Sequence, residues 1–202
     1  MTVFKTVSLI DTLKNSGESA VCEALSSFSS PLNKDVEKFL KNSAVEFAKQ
    51  NIAPTTLVYY RGEHIWSLCG YFTLTIKTIE IERKNLTSTM FKRAKKFGTY
   101  NNATEKCTVS VPLIAQLGKN FTCGYNKLIQ GAELLRLACD KVKAAQEIIG
   151  GKIVYLECED VPKLISFYNN NGFTKFSQRP LDHDQQSESA NRYLIQMLKY
   201  LD

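Results

Sequence analysis

Backbone amides that run into a helix N-terminus make a ready anion site, because unbonded N–H groups and the positive end of the helix dipole act on one ligand. The segment from Leu113 to Leu135 has that order: an apolar strand, a polar loop, then an amphipathic helix. Lys127, Leu128, Ile129, Gln130, Gly131 and Ala132 would supply the amides, and Gly131 with Ala132 leaves room for a phosphate to approach. Plain packing or a turn is the alternative use of one glycine before a helix. Glu157 stands toward the C-terminal end of a strand in the apolar run IVYLECE, where desolvation would raise its pKa toward that of a general base. An exposed or ion-paired strand end is the alternative. Cys158 has no His or Lys near it in sequence to activate it, and reads as a small buried cysteine. His64 reads as a hairpin-turn residue and His183 as a loop residue.

The elements that must position these groups follow from periodicity. Asn33 is a good N-cap, and Val36, Phe39, Leu40, Phe47 and Ala48 recur behind it at helical spacing. Ser19 to Ser26 is a weaker helix. Thr56 to Tyr60 and Ile65 to Ile81, rich in β-branched and aromatic residues, form a hairpin about Arg61-Gly62-Glu63. A third strand spans Val109 to Leu117, and its Pro112, which cannot donate to a ladder, belongs at an edge or bulge. A long helix with Leu134, Leu135, Ala138, Val142, Ala145 and Ile149 on one stripe stops at Gly150-Gly151. Ile153 to Leu156 is a short buried strand, and Pro162 starts a helix that ends at Asn171-Gly172. Phe173 to Phe176 and Tyr193 to Leu198 close the chain as strands, joined by a polar loop over 181–192 that is expected to be mobile. The strands on either side of the long helix are expected to be parallel neighbours.

The 202 residues are 44% hydrophobic and 23% charged, which excludes a disordered or collagen-like chain. Six cysteines are too few for a disulfide scaffold, and the absence of CxxC or paired Cys/His spacing speaks against a metal. Neither a signal peptide nor a membrane span is visible, so a reduced, cytoplasmic protein is expected. Lys and Arg number 26 against 20 Asp and Glu, for a net charge of +6. Arg83 to Lys96 holds six basic residues and no acid, so this window equals the whole excess. It is either a solvated surface or an anion-binding patch, and Phe91, Phe97 and Tyr100 beside it could stack on bases or anchor it to the core.

The run PLIAQLGKN…YNKLIQGAELL followed by IVYLECED…LISFYNNNGF resembles the GNAT superfamily of N-acetyltransferases. In that family a loop of the form Q/R-x-x-G-x-G/A opens the helix that holds the coenzyme A pyrophosphate. Gly131 falls on its last glycine, Asn126 replaces the usual Gln or Arg, and Ile129 occupies the middle glycine position. Phe167-Tyr168 and Gly172-Phe173 follow the family's FYxxxGF pattern. The resemblance implies that backbone N–H groups of Leu117, Gly118 and Lys119 hold the thioester oxygen and pantetheine amides. It also implies that Tyr168 is the acid facing the sulfur. The basic window would clamp the coenzyme's 3′-phosphate or touch an RNA substrate.

These readings converge on one α/β GNAT-like domain over 1–202, with a mixed sheet of about six to seven strands and helices on both faces. It would carry a basic insert at 83–108. The expected function is acetyl-CoA-dependent transfer of an acetyl group directly to a primary amine, with Tyr168 as the acid and Glu157 as the second candidate catalytic residue. The acceptor is a small amine, a protein amino group or aminoacyl-tRNA. Some compact bacterial relatives are toxins that acetylate aminoacyl-tRNA. A tRNA and a second copy of the chain are the macromolecular partners admitted, and no membrane or metal is expected. The alternative is a catalytically inactive module of the same fold that binds RNA or a protein through the basic insert.

Overall fold

Alternating apolar residues become strands here and the 3.6-residue stripes become helices, in a mixed α/β order. The computed structural model describes residues 4–63, 65–181 and 193–202. His64, His183 and the expected mobile loop lie outside the described residues, except Leu181, which is buried. β1 (Phe4–Ser8) leads into α1 (Leu9–Ser16), α2 (Glu18–Ser26) and α3 (Lys34–Lys38); a π-helical turn then joins α3 to α4 (Ala44–Lys49). β2 (Thr55–Arg61) and β3 (Trp66–Glu82) follow, then α5 (Ser88–Lys95), β4 (Thr99–Asn101) and β5 (Lys106–Lys119). α6 (Gly131–Ile149), β6 (Ile153–Glu159), α7 (Pro162–Asn170), β7 (Thr174–Pro180) and β8 (Tyr193–Tyr200) complete the chain.

The strand order is β1-β2-β3-β5-β6-β8-β7, with β4 beside β5. Eight strands exceed the expected six to seven, and the additional two are β1 and β4. The FKTVS of β1 does not alternate cleanly, and only its antiparallel register on β2, from Phe4↔Tyr60 to Ser8↔Thr56, makes it a strand. β4 is three residues long and owes its place to the turn behind it, where the Asn101 side chain accepts the amides of Ala103 and Thr104. β5 adjoins β6, as their joining helix requires, but Pro112 is not on an edge. It stands in an inner strand, beyond the segment Lys106–Thr108 that pairs with β4.

Two compact units share the chain. One comprises Met1–Thr75 with Ile114–Asp140, the other Ile76–Leu113 with Lys141–Asp202. In the first, Leu9, Val21, Leu25, Val36 and Leu40 from the N-terminal helical turns, with Phe28 from the loop after α2, bury Leu57 and Tyr71 of the sheet. The opposite face of β3 meets α6, since a Cβ on Gly70 would lie 3.2 Å from Leu134. Helices therefore cover both faces in this unit. In the second, Phe91 and Ala94 of α5 pack on Ile79, Ile81, Val109, Val111, Ile153 and Tyr155. The alternate residues of β6, Val154, Leu156 and Cys158, are buried on the other face, toward α7. Pro162 occupies the first turn of α7 as expected, and Gly150-Gly151 end α6 with φ of 82° and 103°.

Candidate functional site

In the first unit the end of β5 passes through a short 3-10 segment, Thr122–Lys127, into α6. Cys123 and Gly124 lie in succession at φ 51° and 75°, which turns the chain sharply. α6 starts at Gly131, and its first intrahelical bond runs from the Leu134 amide to the Gln130 carbonyl at 3.1 Å. By helix geometry the amides of Gly131, Ala132 and Glu133 precede that bond and point outward. Ile129, at the position where the resembled loop has glycine, is 1% exposed. Its side chain is spent in the core, so its bulk does not crowd the outer side of the loop.

The charges at this helix end suit an anion. Glu133 in the first turn would repel one, but Arg136 grips it through two hydrogen bonds of 2.7 and 3.0 Å. Those bonds hold its carboxyl below the usual range. Lys119 donates to the Ile129 carbonyl at 3.0 Å, which brings an ammonium to the loop's end. Lys127 and Gln130 are exposed and Asn126 is half-buried. The donor set of helix amides and lysines thus fits the phosphates of a coenzyme A. Gly118 has a separate, steric duty, because a Cβ there would sit 2.2 Å from Val36 Cγ1. Its missing side chain is what allows α3 to approach β5.

Tyr168 and Glu157 both lie in the second unit, and they are not brought together. The Tyr168 ring packs edge-on against Phe167 and Phe173, with centroids 5.0 and 5.9 Å away. Burial, helped by the neighbouring Cys158, pushes its phenol well above the usual range, so the proton is retained at neutral pH. Its hydroxyl makes no hydrogen bond among the described residues.

Glu157 points to the opposite face of β6, with Tyr155, by strand alternation. Arg179 grips both its oxygens at 2.7 Å, Lys77 reaches Oε1 at 3.2 Å, and the Tyr155 hydroxyl donates to Oε1 at 2.5 Å. Gln196 in turn donates to the Tyr155 oxygen at 2.7 Å. Burial alone would raise the Glu157 pKa, but the hydrogen bonds from Arg179 and Tyr155 and the two cations outweigh it and bring the pKa to about 2. The raised value expected of a general base is therefore corrected: Glu157 is the ion-paired strand end. Sequence reading missed Lys77, Arg179 and Gln196 because each comes from a different strand. Burial pushes the Cys158 thiol up to about 11, which fits its reading as an inert cysteine.

The basic window forms a turn and α5 on the second unit. Phe91 is buried and serves as the anchor, with Tyr100 edge-on at 5.6 Å. Arg83 lies over Phe91, Arg93 over Tyr200 and Lys95 over Tyr100, at 5.2, 4.5 and 4.2 Å from the ring centroids. Lys84 pairs with Glu82 at 2.9 Å. Lys92, Arg93, Lys95 and Lys96 have no carboxylate partner among the described residues. Phe97 is 38% exposed and remains available at the surface.

Neither a protein-family model nor a curated protein sequence matches the chain. Among solved structures it is similar to AtaT complexed with acetyl-methionyl-tRNAfMet, with a TM-score of 0.62 at 17% identity, covering 95% of this chain and 93% of that one. It is also similar to a structure described as a bacterial toxin, with a TM-score of 0.60 at 15% identity, covering 100% and 92%. A third likeness is to AtaTR bound with AcCoA, with a TM-score of 0.53 at 16% identity, covering 96% and 93%. No helix among the described residues is long and apolar enough to cross a membrane, and no cluster of potential metal ligands occurs among them. At these identities the likeness is one of fold, and the chain has the GNAT-type fold that its sequence resemblance implies.

Proposed function

We propose that the chain is an acetyl-CoA-dependent N-acetyltransferase that moves an acetyl group directly to a primary amine, with aminoacyl-tRNA as the acceptor class. The observation that carries this reading is the loop before α6. It keeps its first-turn amides outward, buries Ile129 in the core and has Glu133 of the first turn matched by Arg136. Gly131 and Ala132 with Lys127, Ile129 and Gln130 would hold the pyrophosphate through their backbone. Leu117, Gly118 and Lys119 would hold the pantetheine arm, with Asn126 beside the loop.

Acetyl-CoA supplies a thioester already activated toward amines, so positioning does much of the work. Tyr168 holds a proton on its Oη for the departing sulfur. Glu157 is left out of the chemistry, because its oxygens are committed to Arg179, Lys77 and Tyr155. The amine proton then leaves to water. Support for the acceptor class comes from the cations of α5, which have no carboxylate partner among the described residues, and from the acetyl-methionyl-tRNAfMet bound in the AtaT structure. The same cations support the second reading, an inactive module that binds RNA.

Calorimetric titration with acetyl-CoA, and separately with ATP, tests the proposal. Binding of acetyl-CoA that is lost in Gly131→Leu is expected. Tyr168→Phe should keep that affinity and lose turnover by about 100-fold. No binding at millimolar acetyl-CoA overturns the enzyme reading. Full turnover in Tyr168→Phe overturns the assignment of the acid.

A further inference from the structure

The connection between β5 and α6 is pinned at both ends by polar side chains that bond to backbone. At its start stands Asn120, only 2% exposed. Its Oδ1 accepts the amides of Ser29 and Thr122, each at 3.1 Å, and its Nδ2 donates to the Leu68 carbonyl at 2.9 Å. Its own amide donates to the Cys69 carbonyl at 2.9 Å. The next residues extend the seam: the Phe121 amide donates to the Ser29 carbonyl at 2.7 Å, and the Thr122 hydroxyl to the Ser27 carbonyl. At the far end the Lys119 ammonium holds the Ile129 carbonyl at 3.0 Å.

We propose that Asn120 is a positioning residue for the anion loop, setting how the chain enters 122–130 without touching the ligand. For its functional consequence the inference rests on the acetyl-CoA reading above; for the loop itself it does not. A short planar group is needed that accepts two amides and donates to a carbonyl at the same time, which the carboxamide does. Aspartate keeps the two acceptors but has no donor for Leu68, and alanine takes the side-chain partner from all three part-buried backbone groups. The need is acute because Cys123, a non-glycine residue, sits at φ 51° immediately downstream, and surrounding contacts must hold such a conformation. Once Asn120 is lost the loop samples other conformers. If the fraction with amides correctly aimed falls to about one tenth, apparent affinity falls about tenfold.

Amide hydrogen exchange on the ligand-free full chain tests the loop directly. In Asn120→Ala, exchange over residues 27–30 and 121–130 should speed up by about tenfold while residues 153–159 stay unchanged, and Asn120→Asp should fall between Ala and the parent. Calorimetry and steady-state kinetics should then show acetyl-CoA affinity down by about tenfold in Asn120→Ala, with kcat at saturating acetyl-CoA much less affected. Unchanged loop exchange, or an equal rise over 153–159, would overturn the positioning role. Should Asn120→Ala not fold, Lys119→Met with exchange read at 128–131 decides the same question of a side-chain-pinned loop. The expected exchange difference between Asn120→Ala and the parent, in a parent that binds no acetyl-CoA, would overturn the proposed function and leave this inference standing.

Discussion

Replacing Glu157 with Gln separates an ion-pair hub from a general base. A carboxyl held at about 2 rather than 4.5 corresponds to about 3 kcal/mol of stability at neutral pH. Allowing for solvent at Lys77, whose side chain is 35% exposed, about 2 kcal/mol is a fairer figure. Because the folded-state pKa is depressed, this stability is present above the ordinary carboxylate value and is lost as pH falls from about 5 to about 2. The amide also takes away the carboxylate that Arg179, 18% exposed, and Lys77 share. Breaking such a pair from one side brings the total cost to about 3 kcal/mol. For a chain of this size that lowers Tm by about 6–12 °C. Urea unfolding of both proteins at neutral and acidic pH reads the effect, and the gap between them should close toward the acid end. Turnover measured where the variant is still folded should remain within about threefold, whereas loss of a general base costs about 100-fold or more. Unchanged stability at neutral pH, or a large loss of kcat in a fully stable variant, would refute the reasoning.

Gly118→Ala should destabilise by about 1–3 kcal/mol, because its Cβ would meet Val36 Cγ1 at 2.2 Å, and Val36→Ala in the same chain should recover most of that in urea melts. Iodoacetamide at neutral pH should label the exposed Cys22 and Cys123 and spare Cys158. A thiol at about 11 is ionised in only about one molecule in ten thousand at that pH, which mass spectrometry of the labelled peptides will reflect. Lys92→Glu combined with Lys96→Glu should weaken tRNA binding and reduce the slope of log affinity against log salt by about two, read by filter binding across ionic strengths.

Local signals were strong wherever one residue type settles a backbone. Asn33 caps α3 by accepting the Val36 amide at 3.1 Å, Pro162 opens α7 and the two glycines end α6, each as their chemistry dictates. β1, α1 and β4 escaped because they carry neither long periodicity nor strong punctuation, and pairing with distant strands makes up the difference. The start of α6 at Gly131 was legible as a helix entry, yet the inward turn of Ile129 was not, since a sequence pattern does not say which side of a loop a side chain takes.

The candidate site divides along the same line. Sequence alone determined the strand–loop–helix order, the FYxxxGF segment with Tyr168, the concentration of positive charge in one window and hence the class of anionic ligand to expect. Tertiary structure decided the sign of the Glu157 pKa, because Arg179 lies 22 residues away and Lys77 lies 80 residues away. It likewise decided that Asn120 is buried, through Ser29, 91 residues earlier in the chain. The physical reason is common to both. A carboxylate or a carboxamide has no fixed role until its desolvation and its partners are known, and both are set by strands and loops that meet only in the folded chain.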